Sequence, residues 1–145
     1  MSDPVLDPVR LVDIRDTPLD VTEVIDSLGD AGAGGLTLFI GQVRDHDNGL
    51  DVSALDYSAH PTALARLRDV CRRVAQEHDV RGVAAVHRVG PLEIGDLAVV
   101  VATTAAHRGD AFGASRDLID TLKAEVPIWK HQVFGDGTEE WVGTP

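Results

Sequence analysis

Cysteine is nearly missing from this 145-residue chain: Cys71 stands alone. One thiol makes no internal disulfide and cannot supply the clustered sulfur ligands of a zinc or iron–sulfur site. Lysine is almost as scarce. Of the 13 basic residues all but Lys123 and Lys130 are arginine. Aromatic residues are 4% of the chain, and no apolar run approaches the ~20 residues of a membrane-spanning helix. Met1-Ser2-Asp3-Pro4 lacks the basic and apolar stretches of a secretory signal, so a cytoplasmic location is expected. Positive charge is also short, with 13 basic against 24 acidic residues and a net charge of −11. That balance works against nonspecific nucleic-acid binding, which draws its affinity from cations on phosphates. A small anionic ligand stays compatible if a local cationic pocket opposes the global field.

What is present reads as an ordinary globular chain, 43% hydrophobic and 26% charged, of a length that fits one domain over residues 1–145 with a frayed start at 1–8. Val9 to Ile14 reads as a strand. Asp20 is placed to N-cap a helix over Val21 to Leu28, with Glu23 completing a capping box. Leu36 to Val43 and Val52 to Tyr57 read as strands joined by a hairpin loop that contains Asn48-Gly49. Pro61 opens a helix that runs to about His78, with Leu64, Leu67, Cys71, Val74 and His78 as its buried stripe. Val83 to Val89 and Leu97 to Thr104 are strands, with a turn region at Pro91 to Asp96. A third helix runs from about Arg108 to Glu125 and stops at Pro127, with Ala111, Ser115, Leu118, Ile119 and Leu122 inward. Ile128 to Phe134 and Glu140 to Val142 are the last strands. Many hairpin-like connections and few crossovers give an α+β class: a mixed, largely antiparallel sheet and about three helices.

Cations gather at the ends of these elements. Arg44 closes the strand Phe39-Ile40-Gly41-Gln42-Val43, where Gly41 marks a bulge or a close backbone approach. His107 and Arg108 open the third helix, whose free N–H groups favour an anion; a capping histidine beside a solvated arginine would read the same. Lys123 falls in that helix's last turn, where the dipole alone accounts for a cation. Lys130 lies on the next strand, with Trp129 pointing to the opposite face. A GC-rich codon bias explains why lysine is rare. It does not explain why two lysines remain seven residues apart, and lysine, unlike arginine, is able to lose its proton when buried. The histidines show no metal spacing, so no metal is expected. Cys71 reads as a small core residue. There is no P-loop, nucleophile elbow or dinucleotide fingerprint.

Several segments together resemble the large, catalytic subunit of molybdopterin synthase. They are Phe39-Ile40-Gly41-Gln42-Val43-Arg44, Leu55-Asp56-Tyr57, His87-Arg88-Val89-Gly90, Gly95-Asp96, Ala106-His107-Arg108, Ala111-Phe112, Leu122-Lys123, Val126-Pro127-Ile128-Trp129-Lys130, Asp136-Gly137 and Trp141-Val142. Each is weak alone; their order and spacing over about residues 9 to 142 are specific. The resemblance implies an α/β hammerhead-type α+β fold and a homodimer that binds two small ubiquitin-like sulfur-carrier subunits, a heterotetramer. The carrier's C-terminal Gly-Gly, as a thiocarboxylate, would thread into the site. Two sulfur transfers to cyclic pyranopterin monophosphate would form the dithiolene, with no cofactor. By position, Lys123 is implied as the central catalytic lysine and Lys130 as its acid/base or oxyanion partner. Arg44, His107 and Arg108 are implied to bind anionic groups of the substrate, and Phe39 to line the pocket. Two departures stand out. Gln132 replaces a common glutamate, and no arginine follows Arg116 to reach a neighbouring subunit's site. The alternative is a module on the same fold that binds the carrier or an anionic metabolite without chemistry.

Overall fold

The computed structural model describes residues 7–47 and 49–142. Its first sheet is built from β1 (Val9–Arg15), β5 (Gly82–Arg88), β7 (Leu97–Ala105) and β2 (Gly35–Gln42), in that order. β1 runs parallel to β5, and the other neighbours are antiparallel. β5 and β7 are the near-continuous apolar runs of the sequence, and continuous rather than alternating hydrophobicity is what a strand covered on both faces requires. One face carries Val83, Ala85, Val99 and Val101 under helices α2 (Ala63–Glu77) and α3 (Arg108–Glu125). The other carries Ala84, Val86, Val100 and Ala102 under α1 (Val21–Ser27). The second sheet orders β3 (His46–Asp47), β4 (Leu50–Ala59), β8 (Ile128–Phe134) and β9 (Glu139–Val142), with β6 (Gly90–Leu92) also paired to β4. The arrangement is the α+β fold with a mixed, mostly antiparallel sheet and three helices that the sequence predicts.

The helices follow from local chemistry. Asp20 Oδ1 accepts the Glu23 N–H at 3.3 Å and so caps α1. The capping box is not closed in return, because Glu23 gives its carboxylate to Arg15 of β1 instead. On α2 the buried stripe is Ala63, Leu67, Val70, Cys71 and Val74. Leu64 and His78, expected in that stripe, are only half-buried, and His78 spends its Nε2 on Asp117 of α3 at 2.8 Å. The bounds of α3 and β8 fall where the sequence places them.

Three expectations change in detail. The turn region at 91–96 begins with a short strand, since Gly90–Leu92 pairs with Tyr57, Asp56 and Leu55 of β4. The loop at 44–51 holds the two-residue strand β3; of its expected turn pair, Asn48 lies outside the described residues and Gly49 takes φ +79°. Of the expected frayed start, residues 1–6 lie outside the described residues. Pro8 is already tied down: its carbonyl accepts the Val83 N–H at 2.7 Å.

The corner that matters for function lies between α3 and β8. The Val126 N–H closes the helix on the Leu122 carbonyl at 3.0 Å, and the Pro127 carbonyl accepts the His60 N–H at 3.0 Å. This pins the chain as it turns from the last turn of α3 onto the first residues of β8. The packing beneath that corner is testable. Leu118 on α3 is fully buried in the cluster under the sheet, so Leu118→Ala should cost about 2–5 kcal/mol in urea unfolding, with the denaturant slope unchanged.

Candidate active site

Strand alternation decides what the corner presents. On β8, Ile128 and Lys130 share one face and Trp129 takes the other. In register with Lys130 stand Tyr57 on β4 and Val142 on β9. Lys123, two residues before the end of α3, approaches from above. The two lysines meet in a cavity of about 180 Å³ whose polar lining is Tyr57, His87, Lys123 and Lys130. Val99, Leu122, Val126 and Ile128 supply apolar wall. Lys123 is exposed at the rim and Lys130 is half-buried.

Electrostatics separates the two. Burial holds Lys130 below the usual lysine value, and the charges of Lys123 and Arg44 push the same way, while Asp47 and Glu140 oppose them. His87, only 5% exposed, is driven from 6.5 down to about 4 by burial, with Lys123 adding to the effect against its bond to the Arg88 carbonyl. Burial also raises Tyr57. An ammonium whose pKa is lowered gives up a proton more readily, which suits acid–base work near neutrality.

Arg44 follows β2, with its side chain 65% exposed and paired to Asp47 at 3.2 Å. Its influence on Lys130 places it at the edge of the same site. Asp47 is held from a second side by Gln132, whose Nε2 donates to Asp47 Oδ2 at 2.8 Å. The carboxylate beside Lys130 is therefore drawn from β3 and anchored by the residue that stands where a glutamate is common in the resembling family. Phe39 lies on the face of β2 that carries Gly41, which pairs with the pocket residue Val99. A Cβ on Gly41 would lie 2.7 Å from Val99 Cγ1, so glycine lets β2 lie close beneath this wall. Phe39 itself stays 38% exposed beyond it.

His107 and Arg108 do not join this pocket within one chain. His107 caps α3, and Arg108 is its first residue; both are exposed. Lys123 lies fifteen residues beyond Arg108, near the other end of the helix, a separation of about 22 Å along the axis. Conversely, the pocket includes Tyr57 and His87, which reasoning from sequence did not single out as site residues. For His87 the available signal was a polar ring inside a largely apolar strand. Among the described residues no three His, Cys, Asp or Glu side chains are placed to hold a metal ion, and no helix is long and apolar enough to cross a membrane.

With this geometry in hand, comparison with known proteins gives one answer. Residues 14–125 match the family model described as MoaE protein. The molybdopterin synthase catalytic subunit 1 of Mycobacterium tuberculosis is 44% identical over 131 residues, 90% of this chain and 88% of that one. The crystal structure of molybdopterin synthase from Staphylococcus aureus superposes with TM-score 0.84 at 30% identity, covering 91% of this chain and 96% of that one. A chain from the complex of subunits 1 and 2 of the Helicobacter pylori molybdopterin-converting factor shares the fold, with TM-score 0.70 at 17% identity, covering 96% of this chain and 94% of that one. The chain belongs to the family of molybdopterin synthase catalytic subunits.

Two outcomes follow for the titratable groups. The Cys71 thiol has no exposed surface and is pushed up to about 12 by burial, so the native protein should resist thiol-labelling reagents at neutral pH until denaturant unfolds it. Rapid native labelling would overturn this assignment of Cys71 to the core. Because His87 falls from 6.5 to about 4 on folding, the unfolded chain takes up that proton first. The stability this represents is complete above about pH 6.5 and is lost as pH falls toward 4. Between pH 7 and 5 it should cost about 2 kcal/mol, a loss that urea unfolding of His87→Phe should lack.

Proposed function

We propose that this chain is the catalytic subunit of molybdopterin synthase. It transfers sulfur from the thiocarboxylated C-terminus of a small ubiquitin-like carrier subunit to cyclic pyranopterin monophosphate, and two transfers give the dithiolene of molybdopterin. The observation that carries this reading is that the chain's only two lysines, far more scarce than its arginines, line one small cavity. Family membership supports the same activity. The chain has one thiol, sealed in the core, so sulfur comes from outside. A cavity of about 180 Å³ suits a tail of two glycines better than one with side chains.

The lysines divide the work as their surroundings differ. Lys123, at the rim and on the end of α3, meets the incoming tail and stabilises negative charge on its terminal sulfur and oxygen. Lys130, half-buried and with its pKa lowered, exchanges protons with the reacting groups. Arg44 at the edge of the site binds an anionic group of the substrate, while Phe39 forms apolar surface beyond Gly41. His107 and Arg108 sit too far along α3 to touch the same substrate in one chain. In a dimer they reach it from the second copy, where the free N–H groups at the start of α3 add to their charge.

Incubating the protein with thiocarboxylated carrier and substrate, and following the product by mass spectrometry, tests the reading. Lys123→Ala should lower turnover by at least about 100-fold with its thermal melt unchanged. Lys123→Arg keeps the charge and should lose most of the activity as well. Near-normal turnover in Lys123→Ala would remove this lysine from the chemistry, and carrier binding without product in the unmodified protein would favour a non-catalytic module. Mixing inactive Lys123→Ala and Arg108→Ala chains should restore activity, because each mixed dimer then holds one intact site. No restoration would place Arg108 in the same site as its own chain's Lys123 or outside the site altogether.

A further inference from the structure

The lysine pocket is rich in donors. Two ammonium groups only donate, and the hydroxyl of Tyr57 both donates and accepts. Such a lining suits an anion. A step that removes a proton needs a basic lone pair, which a lysine offers only after it has given up its own proton.

His87 does. It lies on β5, buried to 5% exposure, and shares the cavity wall with Lys123 and Lys130. Its Nδ1 is 2.7 Å from the carbonyl oxygen of Arg88. A carbonyl only accepts, so Nδ1 carries the hydrogen and Nε2 holds the lone pair. Tyr57 braces the ring edge-on, with centroids 5.0 Å apart and planes at 77°. Among the described residues nothing hydrogen-bonds to Nε2. Nε2 keeps some accessible surface, so its lone pair is open to a molecule in the cavity.

We propose that His87 is a further catalytic residue of the sulfur transfer, accepting the proton of the water that releases the spent carrier. The inference rests on the sulfur-transfer reading above. Once the thiocarboxylate sulfur has bonded to a substrate carbon, the carrier's terminal carbonyl is part of a thioester. The water oxygen bonds to that carbonyl carbon as one water proton passes to Nε2. The oxyanion that forms faces the lysine ammonium groups. Its collapse breaks the bond between carbonyl carbon and sulfur, and the electron pair leaves on sulfur. The products are the carrier's carboxylic acid, which ionises to solvent, and the substrate thiolate, which the imidazolium or solvent protonates. Nothing is oxidised or reduced. The low pKa of about 4 keeps Nε2 unprotonated across the neutral range, with the basicity of a carboxylate general base.

The test uses the protein with thiocarboxylated carrier and cyclic pyranopterin monophosphate, quenched over time and read by intact mass. His87→Phe keeps a ring and removes the lone pair. His87→Gln keeps a hydrogen-bond acceptor that takes no proton at neutral pH. Both should bind carrier and form the covalent carrier–substrate adduct at the unmodified protein's rate. Both should then release it at least about 100-fold more slowly, so that the adduct accumulates. Release within about threefold of the unmodified protein in either variant overturns the proposal. So does loss of folding or of carrier binding in both variants, which would assign His87 to packing. If the unmodified protein itself forms neither adduct nor product, the sulfur-transfer reading fails first, and that outcome is distinct from the others.

Discussion

Two ammonium groups share one small cavity, and their mutual repulsion against mostly apolar walls is the constraint the site is built around. The charge of Lys130 is disfavoured by its burial and by the neighbouring Lys123. The fold meets this unequally. Lys123 sits in the last turn of an 18-residue helix, where the negative end of the helix dipole favours a cation and solvent reaches the side chain. Lys130 has neither advantage. It is fixed on a strand hydrogen-bonded to β4 on one side and β9 on the other, and it cannot move away. The lowered pKa falls on the lysine with no means of escape. The asymmetry divides one pair of identical side chains into an exposed ammonium on a helix end and a half-buried one on a strand.

The same constraint explains how an acidic protein, with a net charge of −11, presents a cationic site. Three of the 13 basic side chains, Lys123, Lys130 and Arg44, gather at one corner. Arg44 is partly neutralised by Asp47 and lies outside the cavity. An anion entering the pocket therefore meets the lysines at close range, where low dielectric strengthens the attraction. Farther out, the acidic surface repels small anions. A ligand that arrives tethered to a docked protein partner is not limited by that repulsion in the way a free anion is.

Much of the architecture was legible because its signals were strong and local. The third helix is bracketed by His107-Arg108 and Pro127, and the strand after it is closed by the Gly135-Asp136-Gly137 turn. Strands β3 and β6 were not legible, since two or three residues show no periodicity and exist only through their pairing with β4. The site divides the same way. Lys123 and Lys130 were exposed by their rarity alone. Tyr57 and His87 reach the pocket through register, with Tyr57 opposite Lys130 on β8, and composition carries no trace of that pairing. The distance between His107-Arg108 and the lysines of the same chain is plain arithmetic: an α-helix rising about 1.5 Å per residue separates them by its own length.

Gln132 shows how a departure from a family pattern is better weighed by its partner than by its own charge. The side chain is 2% exposed and donates to Asp47 at 2.8 Å. A glutamate at this position would bring a second carboxylate within hydrogen-bonding distance of the first in a buried setting, and one of the two would have to take up a proton. Glutamine avoids that conflict, and Asp47 accepts from both Arg44 and the amide. Asp47 in turn is the carboxylate that favours the charged form of Lys130. The negative charge near this lysine is thus supplied from β3. Read with Asp47, the neutral residue at position 132 is an anchor for the carboxylate that favours the charged form of Lys130.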